Sequence, residues 1–292
     1  MSSLNIPDAA AIFDLINWQA GFGPRHPGSD AHRAFLQELE TRLRPHFDTF
    51  HRQEFEIVLR GNPVRCANLI GVKKAATKRT APGPAAPPLL IGTHFDTRLL
   101  ADNERNPALK HKPIIGANDG GSGTAILLAL AKTLSAVEFS RDVYFVFFDA
   151  EDVGNIGGYE FGMGARYFTQ HPLPALPGEV LVLDMVGGKN LILDIDMHIF
   201  AHKESLVLAR RIINLGVRRG FAPFIQNKPG QHKFIICDHI PFLKKNIPSF
   251  VLIDLDYPQW HTHGDLPDAM SSESLEMITI VVADYLGEFI VT

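Results

Sequence analysis

The chain has 292 residues, of which 46% are hydrophobic and 21% charged, and its net charge at pH 7 is -4. This is the composition of an ordinary globular protein that can bury a large core. A pI near 6.3 and the lack of a basic stripe argue against nucleic acid as a partner. No apolar run is long enough to cross a bilayer, so no membrane partner is expected. We expect one domain over residues 1–292, and a monomer.

The N-terminus lacks a basic start followed by an apolar segment, so no signal peptide is visible. We therefore expect either a cytoplasmic protein or a trimmed form of a secreted or periplasmic one. The cysteines, Cys66 and Cys237, lie in apolar, strand-like contexts. They are predicted to be buried thiols rather than a disulfide or a nucleophile.

The first part of the chain changes from helical to strand periodicity. Helices are predicted at residues 7–20 and from Ser29 to Leu43, and strands at 51–59 and 64–72 form a hairpin around a turn at 60–63. Residues 73–87 are rich in Lys, Ala, Gly and Pro and are predicted to be a solvated loop.

Beyond this loop, strands and helices alternate. Strands are predicted to end near His94 and to cover residues 143–148, 180–184, 191–195 and 249–255. Helices are predicted at residues 119–134, 159–169, 203–219 and 271–289. This alternation predicts an α/β fold whose twisted sheet is mixed, parallel in its centre and covered by helices on both faces.

Several apolar stretches end on, or run straight into, an acid or an imidazole. The residues at these ends are His94, Asp119, Glu151 with Asp152, Asp184, and His261. The carboxyl ends of parallel strands meet at one edge of a sheet, so these side chains are expected to converge. Zinc is bound by three or four such ligands, with one position left open in catalytic sites. The pattern predicts a metal site.

Other interpretations of the single motifs remain open. The glycines after Asp119 suggest a phosphate loop, but the Lys-Ser/Thr ending is missing, and an aspartate that caps a helix is the simpler explanation. Asp149, Glu151 and Asp152 repel one another unless they share a cation or a proton, although a solvated acidic turn would also explain them. Asp96 is placed to orient the ring of His94.

Taken together and in order, the motifs resemble the zinc aminopeptidase family called M28, and most of all its glutaminyl cyclase branch. The matching segments are Phe22-Gly23-Pro24-Arg25-His26-Pro27-Gly28-Ser29, Gly92-Thr93-His94-Phe95-Asp96, Gly116-Ala117-Asn118-Asp119-Gly120-Gly121-Ser122-Gly123, Phe148-Asp149-Ala150-Glu151-Asp152, Leu183-Asp184 and Trp260-His261-Thr262. Two features favour the cyclase branch, namely Trp260 and the segment Asp238-His239-Ile240-Pro241-Phe242.

The resemblance implies one zinc ion per chain, held by Asp119, Asp152 and His261. It also implies peptide or protein substrates that begin with glutamine, which is cyclised to pyroglutamate with release of ammonia. The implied reaction needs no activated water, because the amine of the peptide itself attacks the side-chain amide.

The same resemblance implies roles for the surrounding side chains. Glu151 would be the general base and acid, while Asp184 and Asp238 would hold Glu151 and the substrate amine. Trp260 and Tyr257 would wall the slot for the glutamine side chain, although a packed core indole is the alternative for Trp260.

Two departures from the pattern of the animal enzymes concern the pocket. Asp152 stands where they carry a glutamate, and their additional active-site tryptophan has no counterpart in residues 153–159. We therefore expect a differently built entrance.

Two other functions remain open at this stage. In a two-zinc aminopeptidase, His94 and Asp184 would complete a second metal site and Glu151 would activate a water between the metals. In a peptide-binding protein that keeps the fold but has lost catalysis, the same motifs would persist without turnover.

Overall fold

The computed structural model describes residues 6–76, 86–225 and 230–289. Its α-helices are α1 (Ala9–Ala20), α2 (Asp30–Leu43), α3 (Gly121–Thr133), α4 (Met163–Gln170), α5 (Lys203–Arg219), α6 (Ala222–Ile225), α7 (Ile240–Leu243) and α8 (Ser272–Phe289). Its strands are β1 (Thr49–Leu59), β2 (Asn62–Lys73), β3 (Leu89–His94), β4 (Val143–Phe148), β5 (Glu179–Asp184), β6 (Ile195–Asp196), β7 (His232–Lys233) and β8 (Ser249–Ile253).

The main sheet has the strand order β1-β2-β4-β3-β5-β8. Strands β4, β3, β5 and β8 pair in parallel, whereas β1 and β2 form an antiparallel hairpin that joins the sheet through β4. Strands β6 and β7 form a separate, two-stranded parallel sheet. The predicted mixed sheet with a parallel centre is confirmed.

Helices cover both faces because the central strands are apolar on both sides. In β4, Phe145 and Phe147 pack into a core that also receives residues of α1, α2, α3, α5 and α8. Their neighbours Val146 and Phe148 face the opposite core, which contains residues of α4 and α7. Continuous rather than alternating apolar runs are typical of such doubly covered strands.

Several element boundaries differ from the predictions. The hairpin turn consists of Arg60 and Gly61 alone, both with positive φ, as a two-residue type I′ turn requires. No strand covers residues 191–195, and only Ile195 and Asp196 pair, with β7. Helix α4 starts four residues later than predicted, after Gly162 in the left-handed conformation.

Other predictions hold. Ser29 caps α2 by accepting the backbone N–H of His32, and Ser271 accepts that of Ser274 at the start of α8. Cys66 and Cys237 are both buried and free. Residues 77–85 of the predicted solvated loop lie outside the described residues. None of the described helices is long and apolar enough to cross a membrane.

Candidate metal centre and active site

The predicted strand-end residues converge at the carboxyl edge of the parallel strands. Nε2 of His94 lies 3.2 Å from Oδ1 of Asp119 and 3.3 Å from Oδ1 of Asp184. Nε2 of His261 lies 3.1 Å from Oδ1 of Asp152 and 3.5 Å from Oδ2 of Asp119. Two clusters with metal-ligand spacing result, and Asp119 belongs to both.

The clusters differ in how well their polar atoms are paired. In the first, Nε2 of His94 hydrogen-bonds to Asp184, whose other oxygen accepts the thiol of Cys237 at 3.2 Å. In the second, Oδ2 of Asp119 and Oδ2 of Asp152 are buried and have no hydrogen-bond partner among the described residues, and Oδ1 of Asp152 is approached by Nε2 of His261 at 3.1 Å. Buried carboxylate oxygens left in this way are costly, and a cation is the usual remedy.

The electrostatics of the second cluster agree with a cation site. Burial, helped by the negative Asp119, raises the pKa of Asp152 to about 7 although His261 and Arg98 oppose the rise. Burial alone would lower the pKa of His261, but Asp152 and Asp102 outweigh it and raise that pKa to about 10. An aspartate that resists ionisation and an imidazole that retains a proton therefore lie side by side. A metal that displaces the proton relieves both, so Asp119, Asp152 and His261 fit zinc.

Two further buried aspartates hold the backbone on which these ligands lie. Asp265 accepts the backbone N–H of Asn118 at 2.9 Å and of Asp119 at 3.1 Å. Asp96 accepts those of Glu151 at 3.0 Å and Asp152 at 3.1 Å. Each ligand-bearing turn is therefore fixed by one carboxylate that accepts two N–H groups.

This arrangement bears on two of the interpretations that the sequence left open. Asp119 does not cap α3, because Gly120 occupies the N-cap position and the side chain of Asp119 faces the histidines instead. The carboxylate of Asp96 is not the main partner of His94. Nδ1 of His94 is 3.2 Å from the backbone carbonyl of Asp96 and 3.6 Å from its carboxylate, which binds the turn at Glu151.

The backbone is strained where it delivers the site residues. Ala150, Met185 and His261 adopt positive φ values of 56°, 47° and 53°. Ala150 directly precedes Glu151, and Met185 directly follows Asp184. His261 is itself a candidate ligand. Left-handed conformations of such residues cost roughly 1–3 kcal/mol each and persist where the surroundings impose them.

Glu151 lies beside the candidate metal ligands but outside both clusters. It is 4% exposed, and burial raises its pKa well above the usual range, with His94 opposing and Asp238 and Asp184 adding to the rise. Asp238 is fully buried, neither of its oxygens has a hydrogen-bond partner among the described residues, and burial raises its pKa too. A glutamate whose pKa is raised by burial is suited to general acid and base catalysis.

A cavity of about 250 Å³ opens onto these acids. Its walls include Trp260 and Phe161, and its lining also contains the exposed Phe234 and Ile236. A larger depression of about 670 Å³ lies beside α2 and the hairpin, but none of the converging acids lines it. The smaller cavity is therefore the candidate substrate site.

Tyr257 is not among the residues that line this cavity, and its role as a wall of the slot stays a prediction. The side chain is 4% exposed, and its hydroxyl donates to Oδ1 of Asp265 at 3.1 Å. A buried phenol needs an acceptor, and Asp265 provides one. Tyr257 helps to hold the carboxylate that fixes Asp119.

Sequence reasoning missed Asp102 and Arg98. Asp102 approaches Nδ1 of His261 at 3.0 Å, and Arg98 pairs with Asp102 at 2.6 Å. Both lie in an irregular segment without periodicity, and their partners are distant in sequence. The sequence contains no signal that would have identified them.

Comparisons with known proteins agree with this geometry. The sequence matches Peptidase family M28 over residues 74–286. It is similar to the glutaminyl-peptide cyclotransferase of Drosophila melanogaster, with 24% identity over 228 residues, which cover 69% of this chain and 61% of that protein. The match thus spans less than two thirds of the length of the fly protein.

Solved structures share the fold over almost the whole chain. Porphyromonas gingivalis glutaminyl cyclase is 27% identical, with a TM-score of 0.84 that covers 96% of this chain and 98% of that one. A Zn-dependent exopeptidase from Parabacteroides distasonis is 24% identical, with a TM-score of 0.84 over 97% of this chain and 100% of that one.

The unequal clusters lead to a prediction about zinc binding. Zinc added to the metal-free protein should raise Tm, because an ion that binds only the folded state at about 1,000 times its Kd stabilises by about 4 kcal/mol. Asp152→Asn should remove most of this shift, whereas His94→Asn should keep it. Thermal unfolding with and without zinc, compared within each variant, checks both. Equal loss in the two variants would contradict a single site at Asp119, Asp152 and His261.

Proposed function

The chain belongs to peptidase family M28, and we propose that it is a zinc-dependent glutaminyl-peptide cyclotransferase. The reaction converts the N-terminal glutamine of a peptide to pyroglutamate and releases ammonia. The observation that carries this proposal is the difference between the two clusters. His94 and Asp184 are hydrogen-bonded to each other, whereas Asp119, Asp152 and His261 all line the cavity and, among the described residues, include buried carboxylate oxygens without a hydrogen-bond partner. One metal suits a cyclase, whereas hydrolysis by a bridged metal pair needs two.

In this proposal, Asp119, Asp152 and His261 hold one zinc ion per chain. The ion would supply a Lewis acid that polarises the side-chain amide carbonyl of the substrate. A zinc with three protein ligands leaves a position for that oxygen. The substrates are peptides or proteins that begin with glutamine, and residues 1–292 act as one catalytic domain.

Glu151 moves the proton. The neutral α-amine of the substrate attacks the carbonyl carbon of its own side-chain amide, so a carbon–nitrogen bond forms within a five-membered ring. Glu151 accepts the proton that the amine loses and delivers it to the departing amide nitrogen, which leaves as ammonia when its bond to the carbon breaks. The raised pKa of Glu151 supports both halves of this transfer.

Asp184 and Asp238 hold the reacting groups in place. Both carboxylates raise the pKa of Glu151, and Asp184 is itself fixed by His94 and Cys237. The unpaired oxygens of Asp238 lie ready to share a proton with Glu151 or to orient the substrate amine. Trp260, half-buried at the cavity and 4.4 Å from His261 between ring centroids, forms a wall of the slot for the glutamine side chain.

The aminopeptidase remains the second candidate because His94, Asp119 and Asp184 also converge within metal-ligand spacing. A peptide-binding protein without catalysis is a weaker candidate, since each predicted ligand and the general base are present. The three functions differ in their products.

Mass analysis of a treated peptide tests the proposal. A peptide that begins with glutamine should lose the mass of one ammonia, while a matched peptide that begins with alanine should stay unchanged. Release of a free first residue from either peptide would support the aminopeptidase instead. Binding of both peptides without any product would support the non-catalytic protein.

Glu151→Gln should lower kcat by roughly 10²- to 10⁴-fold, the usual contribution of general acid and base catalysis. Glutamine keeps the size of the side chain but cannot accept the proton. The zinc-dependent rise in Tm should persist in this variant, because Glu151 is not a proposed ligand. Undiminished turnover would remove Glu151 from the mechanism.

The apolar rim should favour an apolar residue directly after the glutamine. Phe234 and Ile236 are 68% and 56% exposed at the cavity, while Ile235 between them is buried. Covering part of an exposed phenylalanine contributes about 1 kcal/mol, or roughly fivefold in kcat/KM. Phe234→Ser should lower kcat/KM for Gln-Phe peptides by this factor and hardly change it for Gln-Gly peptides.

Phe200→Ser is the matched control for the rim. Phe200 is 53% exposed but does not line the cavity, and its ring packs against His232. Kinetics with both peptides should therefore be unchanged in this variant. An equal loss for both peptides in Phe234→Ser would contradict a role in side-chain preference.

A further inference from the structure

We infer that Asp102 is the positioning residue that sets the metal-binding orientation of His261. It belongs to a clamp, defined as residues 98–104, that holds the two proposed zinc ligands His261 and Asp152 in fixed positions relative to each other. The clamp lies near the start of the irregular segment between β3 and α3. The proposed reaction gives no role to any residue of this segment before Asp119. The inference rests on the proposed zinc site but not on the reaction that the site performs.

The central contact fixes which ring nitrogen of His261 is free. Nδ1 of His261 is 3.0 Å from a carboxylate oxygen of Asp102, while Nε2 faces Asp119 and Asp152. When Nδ1–H donates to a carboxylate, the lone pair of the neutral ring lies on Nε2, where it can bind a metal. The carboxylate also makes the ring a stronger base and hence a stronger ligand.

The next two residues of the clamp hold the backbone around His261. The backbone N–H of Asn103 donates to the carbonyl of His261 at 3.2 Å, and its side-chain amide donates to the carbonyl of Trp260 at 3.3 Å. Oε2 of Glu104 is 3.2 Å from both the backbone N and Nδ1 of His263. Hydrogen bonds thus hold the backbone before and after His261, whose φ of 53° is strained.

Arg98 connects this grip to the second ligand. Its guanidinium pairs with both carboxylate oxygens of Asp102, and the same group donates to the carbonyls of Asp152 at 2.9 Å and Gly154 at 2.7 Å. The Arg98 side chain is buried, so these bonds are shielded from water. The guanidinium of Arg98 therefore connects the backbone of Asp152 to the Asp102 carboxylate that orients His261.

Charge balance explains why the connection uses an acid and a base. Partial burial would raise the pKa of Asp102, but His261 and Arg98 more than offset it and hold that pKa well below its usual range. Asp102 therefore stays ionised and compensates the buried guanidinium. Its side chain is 44% exposed, so the position tolerates substitution better than the buried ligands do.

The test is zinc affinity, measured on the full chain by competition with a chelator and without substrate. Asp102→Asn keeps the shape of the side chain but removes its charge, and we expect its Kd for zinc to rise roughly 10- to 100-fold. Glu104→Gln, which weakens only the grip on His263, should give a smaller rise. Arg105→Ala is the control on the same segment, since its exposed side chain makes no hydrogen bond or ion pair with residues 260–263 in the described parts of the chain, and its Kd should match the wild type.

A second measurement separates positioning from general destabilisation. The Tm of the metal-free Asp102→Asn protein should stay close to that of the wild type, while its zinc-dependent shift becomes smaller. Wild-type affinity in Asp102→Asn would overturn the inference, as would a lower metal-free Tm with an undiminished zinc-dependent shift. Failure of the wild type to bind zinc would instead overturn the proposed metal site.

Discussion

The mutual repulsion of buried carboxylates is the constraint that shapes this protein. Several acids that water scarcely reaches share one edge of the sheet; they are Asp119, Glu151, Asp152, Asp184 and Asp238. Left to themselves, such groups would move apart, take up protons or unfold the edge that carries them. The chain keeps them together by giving each turn a fixed backbone and by placing positive groups between them. Imidazoles lie between neighbouring carboxylates, and a buried guanidinium lies behind them.

The fixed backbone also explains why three residues keep strained, left-handed conformations. A left-handed conformation at Ala150, Met185 or His261 would relax if the chain around it were free. Each is held because its neighbours are bound by groups that belong to other elements. Asp96 accepts hydrogen bonds from the turn after Ala150, and the backbone N–H of Asn103 donates to the carbonyl of His261. Hydrogen bonds from other elements thus hold the site residues in place, and such positioning is what metal binding and proton transfer over short distances require.

How much of this the sequence could predict depends on whether the signal is local. The apolar run 143–148 and the amphipathic pattern 203–219 coincide with β4 and α5, because burial on two faces or on one leaves a periodic trace. The convergence at the sheet edge was predictable for a related reason, since parallel strands end on one side. The pairing of Ile195 with His232 was not, because two residues carry no period and their partner is set by the tertiary structure. The contact of Asp102 with His261 and the buried position of the Tyr257 side chain were not predictable either, because both depend on groups that meet only after folding.

The small sheet of β6 and β7 gives the entrance an architecture of its own. Phe234 and Ile236 follow directly on β7, and this unit is anchored to the rest of the molecule through Lys233, whose amine lies within 3.0 Å of Asp194 and Asp256. None of these contacts involves the backbone that carries the acids. The small sheet is linked to the acids through the buried Asp196, which pairs at 2.9 Å with His239, the neighbour of Asp238. The exposed side chains of the entrance can therefore vary while the contacts of Lys233 and Asp196, which hold the small sheet in place, are kept.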